Sequence, residues 1–199
     1  MSPGRILRWD TPMKTGPIPP LECPVGTNPV LPPCGATWDR AETVCLDFLI
    51  IAAMYGVLGF SGDIQSLELE AISRTRWHVD FYKKWRRKTL TSSCHLLTPI
   101  RPINDRTGCT VLQLQSADAA TNLIFHFYRS NDGQERRRVQ LCNLEPETMY
   151  NVQRTGPSGE TETKLKGAEL MKTGLELAEP YSQHALFKAA IIVIEPVAL

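Results

Sequence analysis

The chain has 199 residues, a hydrophobic content of 42%, a formal net charge of +1 and a mean hydropathy of −0.20. That is enough apolar material for one large domain or two small ones with a buried core. It is too little net charge to steer the whole molecule toward nucleic acid, acidic substrates or a membrane surface, so any electrostatic role must be local.

Residues 1–36 hold 9 of the 15 prolines. Proline fixes φ, lacks an N–H and pushes the preceding residue toward extended conformations, so an irregular segment is expected. Its start, MSPGRILRWDTPMKTGPIPP, has no apolar run after its basic residues and does not read as a secretory signal. This tilts the expected location toward the cytoplasm without fixing it. The six cysteines form no C-x-x-C pair and no Cys/His cluster at zinc spacing, so no metal site is expected. Cys45, Cys94, Cys109 and Cys142 sit in or beside apolar runs as small hydrophobes. Cys23 and Cys34 are the one pair worth testing for a bridge.

Residues 37–90 open with apolar material. The first half of AETVCLDFLIIAAMYGVLG suits a buried helix, and YGVLGFSGD suits a short strand or loop. The apolar stretches 44–60 and 185–199 are too short or too interrupted to span a bilayer, and the first carries Asp47. A glycine turn then leads into a helix over 66–88. Ser66 would cap it, Glu68 and Glu70 fall in its first turn, and Lys83, Lys84, Arg86, Arg87 and Lys88 gather at its end, an order that complements the helix macrodipole. Leu69, Ile72, Val79 and Tyr82 supply an approximate apolar stripe.

From about residue 93 the pattern changes to short strands between turns. CHLLTPI, CTVLQLQ, NLIFHFYR, RRRVQLC, TMYNVQR and HALFKAAIIVIEP are the strand candidates. CTVLQLQ and NLIFHFYR alternate apolar with polar, as strands with one wet face do. Several such strands argue for an antiparallel β-sandwich over 91–199.

Four chemistries can be weighed on these residues. RTRWHVDFYKKWRRK (74–88) interleaves basic and aromatic side chains as a nucleic-acid surface would, but it reads equally as a solvated helix end with docked aromatics, and no nucleic-acid partner is expected. GVLGFSGD lacks both the Gly-Lys-Ser/Thr end of a Walker loop and the G-x-G-x-x-G of a dinucleotide site, so no cofactor is expected. There is no G-x-S-x-G elbow, and His126 in LIFHFYR reads as a strand side chain rather than a base. Asp10, Asp39 and Asp63 are the carboxylates in active-site-like surroundings, but nothing in their spacing pairs them at the roughly 5 Å that a retaining glycosidase requires. Finally, VQLCNLEPETMYNVQR has the form of a strand, a Leu-x-Pro corner, a tyrosine and a second strand. Taken alone it suits a free-standing sandwich that binds carbohydrate or protein.

Taken together, five segments resemble glycoside hydrolase family 36, the α-galactosidase family. They are GFSGDIQSLELEAISRTRWHVDFYKKWR with its Phe81-Tyr82-Lys83, CHLLTPI, GCTVLQLQSADAATNLIFHFYR, VQLCNLEPETMYNVQR and KGAELMKTGLEL, the last resembling a Gly-x-x-Leu-Met-x-x-Gly-Leu signature. The resemblance runs from about residue 37 to 195. It implies a mainly β fold: a C-terminal antiparallel β-sandwich (91–199) preceded by a helical remnant of the last strand and helix of a (β/α)8 barrel (37–90). It places Gly62 and Asp63 near the sugar pocket but outside the catalytic pair. The family's nucleophile motif, of Lys-Trp-Asp-x-Asn type, and its acid/base aspartate are not matched; LRWDTP around Asp10 lacks the asparagine. Most of a barrel that takes ~250 residues is likewise absent. The expectation is therefore the C-terminal part of a hydrolase of terminal α-galactosides, inert alone and stabilising a catalytic barrel in cis or from another polypeptide. Stretch 44–60 is expected to expose an apolar surface and to promote self-association.

Overall fold

The structure is a computed structural model that describes residues 46–54, 58–59, 69–89, 91–100, 108–130, 136–157, 159–178 and 188–197. Its elements are α1 (Leu46–Met54), α2 (Leu69–Thr89), β1 (Ser93–Leu96), β2 (Gly108–Gln115), β3 (Asn122–Ser130), β4 (Arg136–Val139), β5 (Met149–Gly156), β6 (Gly159–Lys166), α3 (Gly167–Lys172), β7 (Leu175–Ala178) and β8 (Lys188–Pro196). Six strands form one antiparallel sheet in the order β1-β2-β3-β8-β5-β6, and β4 pairs with β7 in a second, two-stranded sheet. The fold is an unequal antiparallel sandwich, as the alternating strands lead one to expect.

Each face of the large sheet carries its own core layer. Leu112, Leu114, Leu123, Phe125, Phe127, Ile191 and Val193 point to one face and meet α1 and Trp85. Val111, Ile124, Val152, Ile192 and Ile194 point to the other and meet Val139, Leu170, Leu175 and Leu177 from β4, α3 and β7. Successive strand residues alternate between the two layers. Burying a side chain of this size stabilises by roughly 1.5–3 kcal/mol, so each layer is substantial on its own.

This arrangement corrects the reading of CTVLQLQ and NLIFHFYR as strands with a wet face. Gln113, Gln115, Asn122 and His126 alternate with the apolar residues, but all four are buried. The two glutamines are bonded from a loop instead of water, whereas Asn122 Nδ2 and His126 Nε2 are buried without a hydrogen-bond partner among the described residues. The Gln113 amide donates from Nε2 to Asn122 Oδ1 (2.8 Å) and to the Cys142 carbonyl (2.8 Å), and its Oε1 accepts the Cys142 N–H (2.8 Å). Gln115 Nε2 donates to the Asn143 carbonyl (2.8 Å), where Asn143 takes a left-handed φ of 55°. The two glutamines thus stitch the loop after β4 onto the sheet.

Two strands lie outside the expected set. GETETKLK forms β6 although its only apolar side chain is Leu165, because it is an edge strand solvated on both faces and needs no apolar periodicity. LELA forms β7 inside the KGAELMKTGLEL segment.

The helices also sharpen the reading. The first half of the apolar stretch is the expected buried helix, and Phe48 to Met54 are all at most 5% exposed. An apolar surface left open by this stretch is therefore not what residues 46–54 show: the sheet already covers them. In α2 the buried positions are His78 and Trp85, whereas Leu69 (86%) and Ile72 (37%) are exposed. The stripe through Leu69, Ile72, Val79 and Tyr82 is thus displaced, because the docked face must seat Arg74 and His78 against α1. Ser66, Gly62, the YGVLGFSGD strand and the 1–36 segment lie outside the described residues, apart from Leu58 and Gly59.

Candidate functional site

The most concentrated polar constellation outside the sheet joins α1 to α2. Asp47 is the one charged residue of α1, and a carboxylate in an otherwise apolar, buried helix must find partners. Arg74 and His78, one turn apart on α2, supply them. The Arg74 guanidinium donates to Asp47 Oδ2, and His78 Nε2 lies 2.8 Å from Asp47 Oδ1. Burial pushes the Asp47 carboxyl upward, but the hydrogen bonds and charges of His78 and Arg74 outweigh it and hold the pKa below its ordinary value. Asp47 is thus a charged group with both oxygens engaged. A glycosidase acid/base needs a raised pKa to carry its proton, which is the opposite of what this pairing provides.

The other end of α2 is keyed into the sandwich. Trp85 is buried in the α1 layer, with the Lys84 and Lys88 ammonium groups 4.8 and 5.2 Å from its ring centroid. Lys88 Nζ donates to Thr121 Oγ1 (2.7 Å) and reaches Glu195 Oε1 (3.4 Å), which also accepts the Thr121 hydroxyl (3.0 Å). Trp77 and Phe81 stack on each other at 5.5 Å, and Phe81 leans on Trp85 at 6.1 Å. The aromatics of the basic helix therefore serve packing; they are not splayed outward as a base-stacking platform. Within the Phe81-Tyr82-Lys83 run, the Tyr82 hydroxyl accepts the Leu58 N–H (3.3 Å), while Lys83 stays in solvent beside Asp80.

A second constellation brings two sequence motifs together. At the corner between β4 and β5 the Tyr150 hydroxyl accepts the Glu145 N–H (3.1 Å), closing the Leu144-x-Pro146-x-x-x-Tyr150 run as expected. The KGAELMKTGLEL segment docks on this corner. Gly167 N–H donates to the Thr148 carbonyl (2.9 Å), Ala168 N–H to the Pro146 carbonyl (2.8 Å), and the Leu170 carbonyl accepts the Leu141 N–H (3.1 Å). A Cβ on Gly167 would run into the Glu145 carbonyl. Gly174 ends α3 at φ +85°, and a Cβ there would lie 2.8 Å from the Val139 carbonyl. The two glycines of the signature are thus positions of close backbone approach, and Leu170 and Leu175 between and after them are buried.

Asp10, Asp39, Gly62 and Asp63 all lie outside the described residues, as do Cys23, Cys34 and Cys45. Cys94, Cys109 and Cys142 carry thiols and not disulfides. Among the described residues no group of three His, Cys, Asp or Glu side chains could hold a metal, and no helix is long and apolar enough to cross a membrane. His126 is a buried strand residue. Burial, together with the positive charges of Arg154 and Arg137, lowers its pKa to about 4, so it is a neutral packing group at pH 7. The residues the sequence reading passed over are Arg74 and His78. Their signal was Asp47 itself, whose charge inside an apolar run demanded a partner one helix away.

Solved GH36 α-galactosidases share this fold over part of their length. AgaB, a GH36 α-galactosidase from Geobacillus stearothermophilus, superposes with a TM-score of 0.64 at 22% identity over 81% of this chain and 20% of its own. The α-galactosidase from Lactobacillus brevis gives 0.66 at 18% over 78% and 20%. An AgaA variant from Geobacillus stearothermophilus, solved in complex with stachyose, gives 0.64 at 22% over 79% and 20%. At these identities the likeness is one of fold, and the chain spans about a fifth of the length of these enzymes. Residues 109–194 match the glycosyl hydrolase family 36 C-terminal domain, so the chain resembles the C-terminal portion of that family. No curated protein sequence matches the chain.

Proposed function

We propose that the chain is the C-terminal part of an α-galactosidase-type retaining glycoside hydrolase, that it packs on and stabilises a catalytic barrel, and that it does not hydrolyse glycosides alone. On this reading residues 37–90 derive from the last strand and helix of the barrel, 91–199 are the C-terminal domain and 1–36 are irregular. The barrel comes in cis or from another polypeptide, and the sugar class at its pocket is the terminal α-galactosides.

The observation that carries the proposal is the α1–α2 layer. Two helices are locked to the sandwich by Trp85, by Lys88 with Glu195 and by the Asp47 pairs, while Leu69 and Ile72 at the start of α2 remain uncovered. Such a layer is what a joint between two domains looks like when only one domain is present. A sugar-binding sandwich would instead present aromatic side chains. The exposed large apolar residues among those described are Leu69, Ile72, Ile100 and Met149, none of them aromatic.

The test is an assay of the purified chain on an aryl α-galactoside, followed by thermal unfolding of a family 36 barrel lacking its own C-terminal domain, with and without the chain. No turnover and a raised Tm of the barrel are expected. Turnover that disappears when Asp10, Asp39 or Asp63 is substituted would overturn the inert reading, and an unchanged Tm would remove the packing role.

A further inference from the structure

The outer edge of β6 is the open margin of the six-stranded sheet. The sheet order ends at β6, so among the described residues the strand is paired on one side only, with β5. Every one of its eight residues is exposed except the half-buried Leu165. In an antiparallel ladder every second residue turns its N–H and C=O away from the existing neighbour, so this margin offers a row of unused backbone donors and acceptors. Charge on an edge strand commonly only blocks pairing. Here the charges are sorted along the strand: Glu160 and Glu162 occupy its first half, Lys164 and Lys166 its second, all at even positions on one face of the sheet.

That order is self-complementary. A two-fold axis perpendicular to the sheet brings two copies of one edge together antiparallel and keeps equivalent faces on the same side. With the axis at Thr163, Glu162 stands opposite Lys164 of the second copy and Glu160 opposite its Lys166, and the symmetry repeats both pairs. Moving the register to centre on Glu162 or Lys164 places like charges directly opposite one another at the axis, which is destabilising. The pattern therefore selects both the partner and the register. Two of these side chains already have contacts within their own copy: Glu160 accepts from Gln153 Nε2 (2.8 Å) and the Thr155 hydroxyl (2.9 Å) on the β5–β6 hairpin, and Lys166 lies 3.8 Å from Glu147 in the corner before β5. Glu162 and Lys164, nearest the axis, are the determining pair.

We infer that β6 is a homodimerisation edge, through which a second copy of this chain extends the sheet to twelve strands, six from each copy, by antiparallel pairing about Thr163. This rests on the β6 geometry alone and stands whether or not a barrel is present. The experiment is sedimentation velocity of the 199-residue chain over a concentration series at low salt. Wild type should dimerise. Glu162→Lys and Lys164→Glu should each weaken association by about tenfold or more, because every swap creates two like-charge pairs. An equimolar mixture of the two variants, and the double variant carrying both swaps, should associate again. Thermal unfolding of each variant checks that it is folded; if either is not, Glu160→Lys and Lys166→Glu repeat the same cross. A wild-type chain that is monomeric throughout, single variants that associate as wild type does, or a mixture that stays monomeric would each overturn the inference.

Discussion

Tyr150 shows how much one side chain can fix. Its ring is buried and its hydroxyl takes the Glu145 N–H, so the turn between β4 and β5 is set by a contact within its own loop. Tyr150→Phe keeps the ring and removes the acceptor, leaving a half-buried N–H unpaired. The expected loss is about 1–2 kcal/mol in urea unfolding, with an unchanged m-value. An equally stable variant would show that water replaces the hydroxyl. This residue was legible in the sequence because corner and tyrosine lie in one short run. Gly167 was visible only as part of a signature. The reason for it, the Glu145 carbonyl lying where a Cβ would be, belongs to a contact between segments that no local pattern displays.

Among elements, the α1–α2 pair is held by one carboxylate against two nitrogen bases. Asp47→Asn preserves shape and removes charge, so Arg74 loses the ion pair that compensates its burial and His78 loses its carboxylate partner. A loss of about 2 kcal/mol is expected, below the full cost of breaking a buried pair because Asp47 and Arg74 are partly solvated. Hydrogen exchange should quicken along α2 before it does in the sheet. Uniform quickening would mean that the helices and sheet form one cooperative unit. The helical nature of 46–54 and most of α2 could be read from composition and charge order. The docked face of α2 could not. A stripe through Leu69 and Ile72 assumes that apolar residues choose the face, whereas here Asp47 chose it by its need for Arg74 and His78.

At the scale of the whole molecule, the large sheet is covered on both faces, and this sets an acid limit. The folded pKa of His126, about 4, lies below the unfolded value near 6.5, so the unfolded chain binds the proton first as pH falls. Stability is full above about pH 6.5 and declines toward pH 4, by roughly 3 kcal/mol in total. Asp47 is the lowered-carboxylate case: its contribution is present above its unfolded pKa and is lost only as pH falls through the folded value beneath it. The two groups thus act in successive windows. His126→Leu should flatten the curve between pH 6.5 and 4 while leaving the more acidic limb to Asp47. A profile unchanged by that substitution would place the acid sensitivity elsewhere. The sheet's existence was legible in the alternation of β2 and β3, but its second covered face was not. Buried glutamines satisfied by a loop carbonyl and a water-facing glutamine look identical in one dimension.

Strand order adds a consequence for synthesis. β8, the last strand in the chain order, lies between β3 and β5 and is paired with both. Until residues 188–196 have been translated, the nascent chain holds two separate ladders, β1-β2-β3 and β5-β6, each with an open edge where β8 will sit. Folding of the sheet therefore waits for the final strand, and a premature stop just before it leaves both edges unsealed and the centre of the sheet missing.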